Sequence, residues 1–282
     1  MKNNPLISVV IPLYNKEKTI EQSLNSVLLQ KGCEFEVVVV DDGSTDNSVE
    51  QVKKIINPKI KLVSQPNGGP GAARNTGAQA ANGDWLVFLD ADDELLPDAL
   101  KGFVDAILAH PDVDIFDANK YILVGSNKTL AYHPLKGYVK NPLKECFFSR
   151  IFPGNGSSAF RRSFFMEHPY NATIRRFEDA ELLIRQLSCA KVYSLSFPTL
   201  LFNRNFAEAS HPRKNVMEDY FAYLDFSKGG FWRKMCVYRT FLEERELYPE
   251  YGKKHYAKMC KRYDWLIMYK LLNLYARLIL KK

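Results

Sequence analysis

Cysteine is sparse and scattered: Cys33, Cys146, Cys189, Cys236 and Cys260 are odd in number and form no CxxC pair. That argues against a disulfide framework and a zinc knuckle, and for a reducing compartment. No run of 18 uninterrupted apolar residues exists, so no stretch reads as a bilayer span. The opening "MKNNPLISVVIPLYN" has one short apolar run with prolines at positions 5 and 12, a poor secretory signal. Internal repeats and low-complexity linkers are lacking too. The glycine-rich stretch "NGGPGAARNTGAQAANGDW" (67–85) matches neither GxGxxG nor the P-loop pattern. That disfavours a dinucleotide-binding enzyme and a P-loop NTPase.

What is present reads as an ordinary globular composition, 46% hydrophobic and 25% charged over 282 residues. The net charge of +7 is unevenly placed. Residues 211–282 hold 16 Lys/Arg against 8 Asp/Glu, which leaves a net of −1 for the rest. A basic, aromatic-rich tail suits an anionic membrane surface or nucleic acid, but no nucleic-acid recognition motif accompanies it. "YDWLIMYKLLNLYARLILKK" (263–282) reads equally as an interfacial helix or as a helix packed on the core.

Strand and helix signals alternate through the first hundred residues. The runs 6–12, 35–42, 59–65 and 84–90 read as strands, and the segments after Lys16, 46–56, 69–81 and 97–109 as helices. The small residues of 69–81 imply a tightly packed helix, and Pro97 is expected near the first position of the helix it opens. This order implies a mostly parallel sheet with helices on both faces and ligands outside the strands' carboxyl ends. Beyond residue 112 the pattern changes. Strands are expected over 113–125 and 128–139, helices over "NPLKECFFSRIF" and 177–190, paired short strands over 191–203, and helix almost throughout from 213.

Polar clusters fall at the strand ends. Asp90-Ala91-Asp92 suits a hard divalent cation, Mg²⁺ or Mn²⁺, or a solvated turn whose carboxylates favour the start of the following helix. Asp41 and Asp42 can accept hydrogen bonds from a base or ribose, or serve a turn and helix cap. Tyr14, Asn15 and Glu17 follow the first strand, where a ring can stack on a base and the polar groups hold its edge, or where they form only a loop and helix cap. Arg74 offers guanidinium geometry to a diphosphate, or a salt bridge. Glu178-Asp179 opens a helix and offers a general base, or a partner for the helix dipole.

In order, "SVVIPLYNKEKTIEQSLNSVLLQ", "VVVVDDGSTDNS", "NGGPGAARNTGAQAANGDWLVFLDADD" and "FEDAELLIRQL" resemble the inverting family 2 glycosyltransferases of GT-A fold. The likeness runs from about Ile7 to about Ser210. It implies an α/β GT-A fold: a mostly parallel, Rossmann-like sheet flanked by helices, with a helical C-terminal extension. Residues 1–112 would be the donor-binding half, 113–210 the acceptor-binding and catalytic half, and 211–282 the basic extension. By resemblance, Asp90 and Asp92 form the DxD motif that bridges Mn²⁺ or Mg²⁺ to the donor diphosphate, with Ala91 between them. Pro12, Tyr14, Asn15, Glu17, Asp41 and Asp42 hold the nucleoside, Arg74 matches the arginine of the family's small-residue helix, and Asp179 matches the catalytic base. Arg204, His211 and Arg213 of "NRNFAEASHP" and after loosely echo a basic motif near the diphosphate. The family implies a UDP-sugar donor and a glycan or lipid-linked acceptor. With the basic tail, this suggests a bacterial envelope or capsule glycan assembled by a cytoplasmic protein, peripheral on the inner face of a membrane. The rivals are a sugar nucleotidyltransferase, which "PLYNKEKT" disfavours by lacking phosphate-loop glycines, and a non-catalytic binding module on the same fold.

Overall fold

The computed structural model describes residues 5–132, 135–206, 216–225 and 227–244, together with Lys270 and Leu274. The first half is a strand–helix alternation: β1 (Ile7–Leu13), α1 (Ile20–Leu28), β2 (Phe35–Asp41), α2 (Ser48–Lys54), β3 (Ile60–Ser64), α3 (Pro70–Ala80) and β4 (Trp85–Phe88). A two-residue strand β5 (Glu94–Leu95) and α4 (Ala99–Ala109) follow. Pro97 precedes α4 rather than opening it, because Asp98 turns the chain with a left-handed φ of 62°.

Strands β3, β2, β1 and β4 lie side by side and parallel. Their apolar runs are continuous because both faces are covered. Val9, Ile11, Val37, Val39 and Val87 point to one side, against Ile20, Leu24 and Val27 of α1 and Leu100, Phe103 and Ile107 of α4. Their neighbours Val10, Val38, Val40, Leu86 and Phe88 point to the other, against Ala73 and Ala78 of α3. The small residues of α3 have a steric cause. A Cβ on Gly77 would lie 2.2 Å from Val10 Cγ1, so only glycine lets the helix sit this close to β1.

The second half completes the same sheet: β6 (Ile115–Val124), β7 (Asn127–Leu130), β8 (Gly137–Tyr138), α5 (Pro142–Phe147), β9 (Ser158–Arg161), α6 (Arg162–Glu167), α7 (Glu178–Gln186) and β10 (Val192–Asn203). The order is β3-β2-β1-β4-β9-β6-β10-β5, with β7 on β6 and β8 on β10. Here the structure departs from the expected pattern in three places. Strand β9 inserts antiparallel between β4 and β6, where "SSAF" carried no strand expectation. Residues 128–139 contribute only the outer strand β7 and the short β8. The expected pair of short strands over 191–203 is one strand, β10, whose register against β6 breaks on either side of Pro198. A proline has no N–H to give the ladder, so the pairing shifts there while the chain runs on.

After three short 3-10 turns comes α8 (Phe231–Glu244). Its Met235, Val237, Tyr238 and Phe241 are buried with Phe147 of α5, Ile184 of α7, and Tyr220 and Phe221. The described part of the extension therefore packs on the domain. Residues 263–282, apart from Lys270 and Leu274, lie outside the described residues, as do His211 and Arg213. Among the described residues no helix is long and apolar enough to cross a membrane.

Candidate active site

The parallel arrangement brings the carboxyl ends of β1, β2 and β4 to one edge. The loops after β1 and β2 are zipped together there. Asn15, at a left-handed φ of 51°, accepts from Thr45 N at 2.8 Å through Oδ1, and its own N–H donates to Ser44 Oγ at 3.2 Å. Glu17 Oε2 accepts from the N and Nδ2 of Asn47 at 3.1 and 3.0 Å. Pro12 is half-buried at the end of β1, and the Tyr14 ring is 37% exposed, open to a stacking partner.

The two aspartates ending β2 have different environments. Asp41 Oδ1 accepts from Ser44 N at 2.9 Å, and its Oδ2 has no partner among the described residues. Asp42 spends both oxygens inside the protein: Oδ1 accepts from Gln65 Nε2 at 2.7 Å and Gly68 N at 2.8 Å, and Oδ2 from Gly69 N at 2.8 Å. Asp42 thus holds the turn that opens α3, where Gly69 takes a φ of 88°.

Beside this, a closed ring of polar contacts surrounds Asp90. Arg74 Nη2 donates to Asp90 Oδ1 at 2.8 Å, and Nη1 donates to Glu178 Oε1 at 3.0 Å and to Asp179 Oδ1 at 3.5 Å. Tyr170 donates its hydroxyl to Asp179 Oδ1 at 2.8 Å and approaches Asn155 Oδ1 at 3.4 Å. Asn155 Nδ2 returns to Asp90 Oδ2 at 3.2 Å. Arg74, for which a diphosphate and a salt bridge were both open, is buried beneath three carboxylates with both terminal nitrogens committed to them. Its side chain is 5% exposed, that of Glu178 10%, and that of Asp179 43%. Of Glu178 and Asp179, the second is therefore the one a ligand can reach.

Electrostatics follow from this crowding. Burial pushes the Glu178 carboxyl up to about 7, Asp179 pushes the same way, and Arg74 opposes both. Burial and the neighbouring Asp90 raise Asp92, against the pull of Lys16, whose Nζ lies 3.0 Å from Asp92 Oδ2. Asp93 is raised to about 8, by burial and then by Asp90, while its Oδ1 accepts from Asn203 N at 2.9 Å. Lys120 of β6 is pushed down by burial, with Asp93 and Asp117 the strongest charges opposing that shift. Ala91 is buried between the two aspartates.

Asp90 and Asp92 fit a hard divalent cation in chemistry and number. Both are oxygen donors at a strand tip, and a carboxylate raised by its neighbour gains when a cation neutralises the pair. Among the described residues no group of three or more His, Cys, Asp or Glu is gathered for a metal. An ion bound by the two aspartates would therefore keep open positions for diphosphate oxygens or water.

The structure brings Asp90, Asp92, Arg74 and Asp179 together and sets the β1 and β2 loops alongside. Arg204 is exposed in a 3-10 turn (Arg204–Phe206) after β10. Sequence reasoning missed Lys16, Lys120, Asn155 and Tyr170. Lys16 looks like any charged loop residue, and Asn155 and Tyr170 stand in segments with no motif spacing; only the fold carries Asn155 to Asp90 and Tyr170 to Asp179.

A mostly parallel α/β sheet with an acidic cluster at its carboxyl edge places the candidate site where open sheets of this class bind their ligands. The family model described as "Glycosyl transferase family 2" matches residues 8–177, and the chain belongs to that family. It is 37% identical over 141 residues to an uncharacterized glycosyltransferase of Haemophilus influenzae, covering 46% of this chain and 56% of that protein. It is 33% identical over 198 residues to the succinoglycan biosynthesis protein ExoO of Rhizobium meliloti, covering 66% of this chain and 56% of that protein. The chain thus spans little more than half the length of these relatives. Among solved structures, it is similar to S. aureus TarS 1-349 in complex with UDP, at 26% identity and a TM-score of 0.61, covering 70% of this chain and 60% of that one. The same fragment in complex with UDP-GlcNAc aligns over 85% of this chain and 72% of its own, with a TM-score of 0.70 at 23% identity. The likeness shows the GT-A fold.

Proposed function

We propose that the protein is an inverting glycosyltransferase. It moves a sugar from a nucleotide diphosphate donor to a hydroxyl of a glycan or lipid-linked acceptor in one displacement. The observation that carries this reading is the shared guanidinium: Arg74 ties Asp90, on the donor edge, to the exposed Asp179. A carboxylate able to take a proton is thereby held beside the carboxylates able to meet a metal-bound diphosphate.

In this mechanism Tyr14 stacks on the base, and Asn15, Glu17 and Asp41 line the nucleoside pocket, Asp41 through its unpaired Oδ2. A divalent cation, Mn²⁺ or Mg²⁺, held by Asp90 and Asp92 would neutralise charge on the departing diphosphate. Arg74 acts by fixing the two acidic groups in place, and Lys16 by restraining Asp92. Asp179 removes the acceptor hydroxyl proton as that oxygen attacks the anomeric carbon from the face opposite the diphosphate. The sugar–phosphate bond breaks, its electron pair leaves with the nucleotide, and the configuration inverts. UDP is the favoured nucleotide, supported by the UDP complex of the similar TarS fragment. Arg204, exposed in the turn after β10, is a further candidate for the diphosphate. The basic tail supports attachment to an anionic membrane surface, and deleting residues 263–282 should then release the protein from anionic vesicles. Unchanged co-sedimentation would remove that part of the reading.

The test is calorimetric titration of UDP, GDP and CMP, with and without Mn²⁺, into the wild type and Asp92→Asn, together with a product assay of Asp179→Asn. Metal-dependent binding of one nucleotide, lost in Asp92→Asn, and transfer lost in Asp179→Asn are expected. No nucleotide binding by folded protein would leave a binding module on a GT-A fold as the better reading.

A further inference from the structure

The proposed base does not stand alone. Tyr170 and Arg74 both reach the same oxygen of Asp179, Oδ1, at 2.8 and 3.5 Å, and Oδ2 receives no hydrogen bond from the described residues. The phenol is itself a rigidly built part. Its ring is buried, edge-on to Phe88 with ring centroids 6.1 Å apart and 6.0 Å from Phe165. Its backbone is clasped on both sides by the next residue after Arg74: Tyr170 N donates to Asn75 Oδ1 at 3.0 Å, and Asn75 Nδ2 donates to Tyr170 O at 2.9 Å. Gly71, one turn earlier in α3, leaves room for the ring, since a Cβ there would stand 3.2 Å from Tyr170 Cβ. Helix α3 therefore places Arg74 directly and Tyr170 through Asn75.

We infer that Tyr170 is a positioning residue that holds Asp179 by Oδ1 and so presents Oδ2 as the oxygen that takes the acceptor proton. The inference rests on the reading of Asp179 as the base and adds which atom acts and what aims it. Three features support it. The Tyr170 hydroxyl has one proton to give. Its two acceptors are Asp179 at 2.8 Å and Asn155 at 3.4 Å, so the shorter bond to the carboxylate takes it. Burial, and next the Asp179 charge, hold the phenol well above its ordinary pKa, so it remains a donor throughout the range where a carboxylate acts as a base. Finally, both donors to Asp179 stand on Oδ1, which leaves its second oxygen unblocked. A carboxylate with a fixed in-plane orientation reaches the attacking hydroxyl without an ordering cost at the moment of reaction.

The experiment uses the full chain and the variant Tyr170→Phe, which removes one oxygen and keeps the buried ring. Thermal unfolding and metal-dependent nucleotide titration establish that the variant is folded with its donor site intact. With substrates saturating, kcat is expected to fall by about tenfold while the donor KM is unchanged, the pattern of a group acting only as the reaction proceeds. The acid limb of the pH–rate profile is expected to move to higher pH, because the ionised base has lost a donor. In an Asp179→Asn background, Tyr170→Phe should cost nothing further, since the two act as a unit. A wild-type kcat and pH profile for Tyr170→Phe, with Asp179→Asn inactive, would overturn the positioning role alone. Near-normal transfer by Asp179→Asn would overturn the base assignment, and the positioning role with it.

Discussion

Glu178 is a carboxylate that the fold keeps at a cost, and replacing it with glutamine measures that cost. Glutamine retains the oxygen that accepts from Arg74 Nη1 at 3.0 Å and removes the charge. In the folded protein burial, and then Asp179, raise the Glu178 carboxyl from 4.5 to about 7. A raised acid contributes stability that is fully present below its unfolded pKa and is lost as pH rises through its folded pKa. The loss therefore falls between pH 4.5 and about 7. At about 1.4 kcal/mol per unit, a shift of this size corresponds to roughly 3 kcal/mol at pH 7.5 and less than about 1 kcal/mol at pH 5. Because neutral glutamate and glutamine present similar groups to Arg74, Glu178→Gln should be more stable than the wild type by about that amount at pH 7.5, and nearly equal to it at pH 5. Urea unfolding of both proteins at the two pH values, compared as differences, isolates this group, since Asp93 and every other titrating residue is common to both. A stability difference that does not grow with pH, or a variant less stable than the wild type at pH 7.5, would refute the reasoning. A gain would also show that this position is maintained for something other than stability.

Gly77→Ala should destabilise the fold by about 1–3 kcal/mol despite alanine's better helix propensity, because the new methyl meets Val10; thermal melts report it. Asp42→Ala leaves Gly68 N, Gly69 N and Gln65 Nε2 without their acceptor, at about 1–3 kcal/mol for each group that stays buried and unpaired. Because the opened turn leads into Arg74, its nucleotide affinity by calorimetry should fall as well. Lys16→Met removes the partner of Asp92, so metal binding should become more favourable at low ionic strength while apo stability falls by less than about 1 kcal/mol, as for an ion pair near the surface. Calorimetry with Mn²⁺ checks the first expectation and urea unfolding the second.

The parallel half of the fold was legible in the order of residues. Runs such as "SVVIP" and "VVVVD" are too short and too uniformly apolar for anything but strands covered on both faces, and the segments between them carry helical spacing. The placement of Asp90 and Asp92 at a strand tip followed from that alternation. Less could be read beyond residue 112. Strand β9 has four residues and no alternation to announce it, and its antiparallel seat between β4 and β6 depends on partners far away in the chain. Residues 191–203 read as two short strands; the sheet instead carries one strand through Pro198 with a register shift.

By itself the sequence determined on which strand tip or helix start each of its candidate side chains stands, because strand and helix periods are local properties of neighbouring residues. The tertiary structure alone decided what those side chains touch. Arg74 looked equally suited to a diphosphate and to a salt bridge, and only burial beneath Asp90, Glu178 and Asp179 assigns it to the acids. Asp41 and Asp42 are adjacent in the chain, yet one has an oxygen with no partner among the described residues and the other spends both on a turn. Tyr170 stands 96 residues from Arg74 in the sequence and meets the same carboxylate oxygen. Such assignments depend on distances across the fold, on which charges share a low-dielectric space and on which donors remain free, and none of these is a property of a residue's neighbours in the chain.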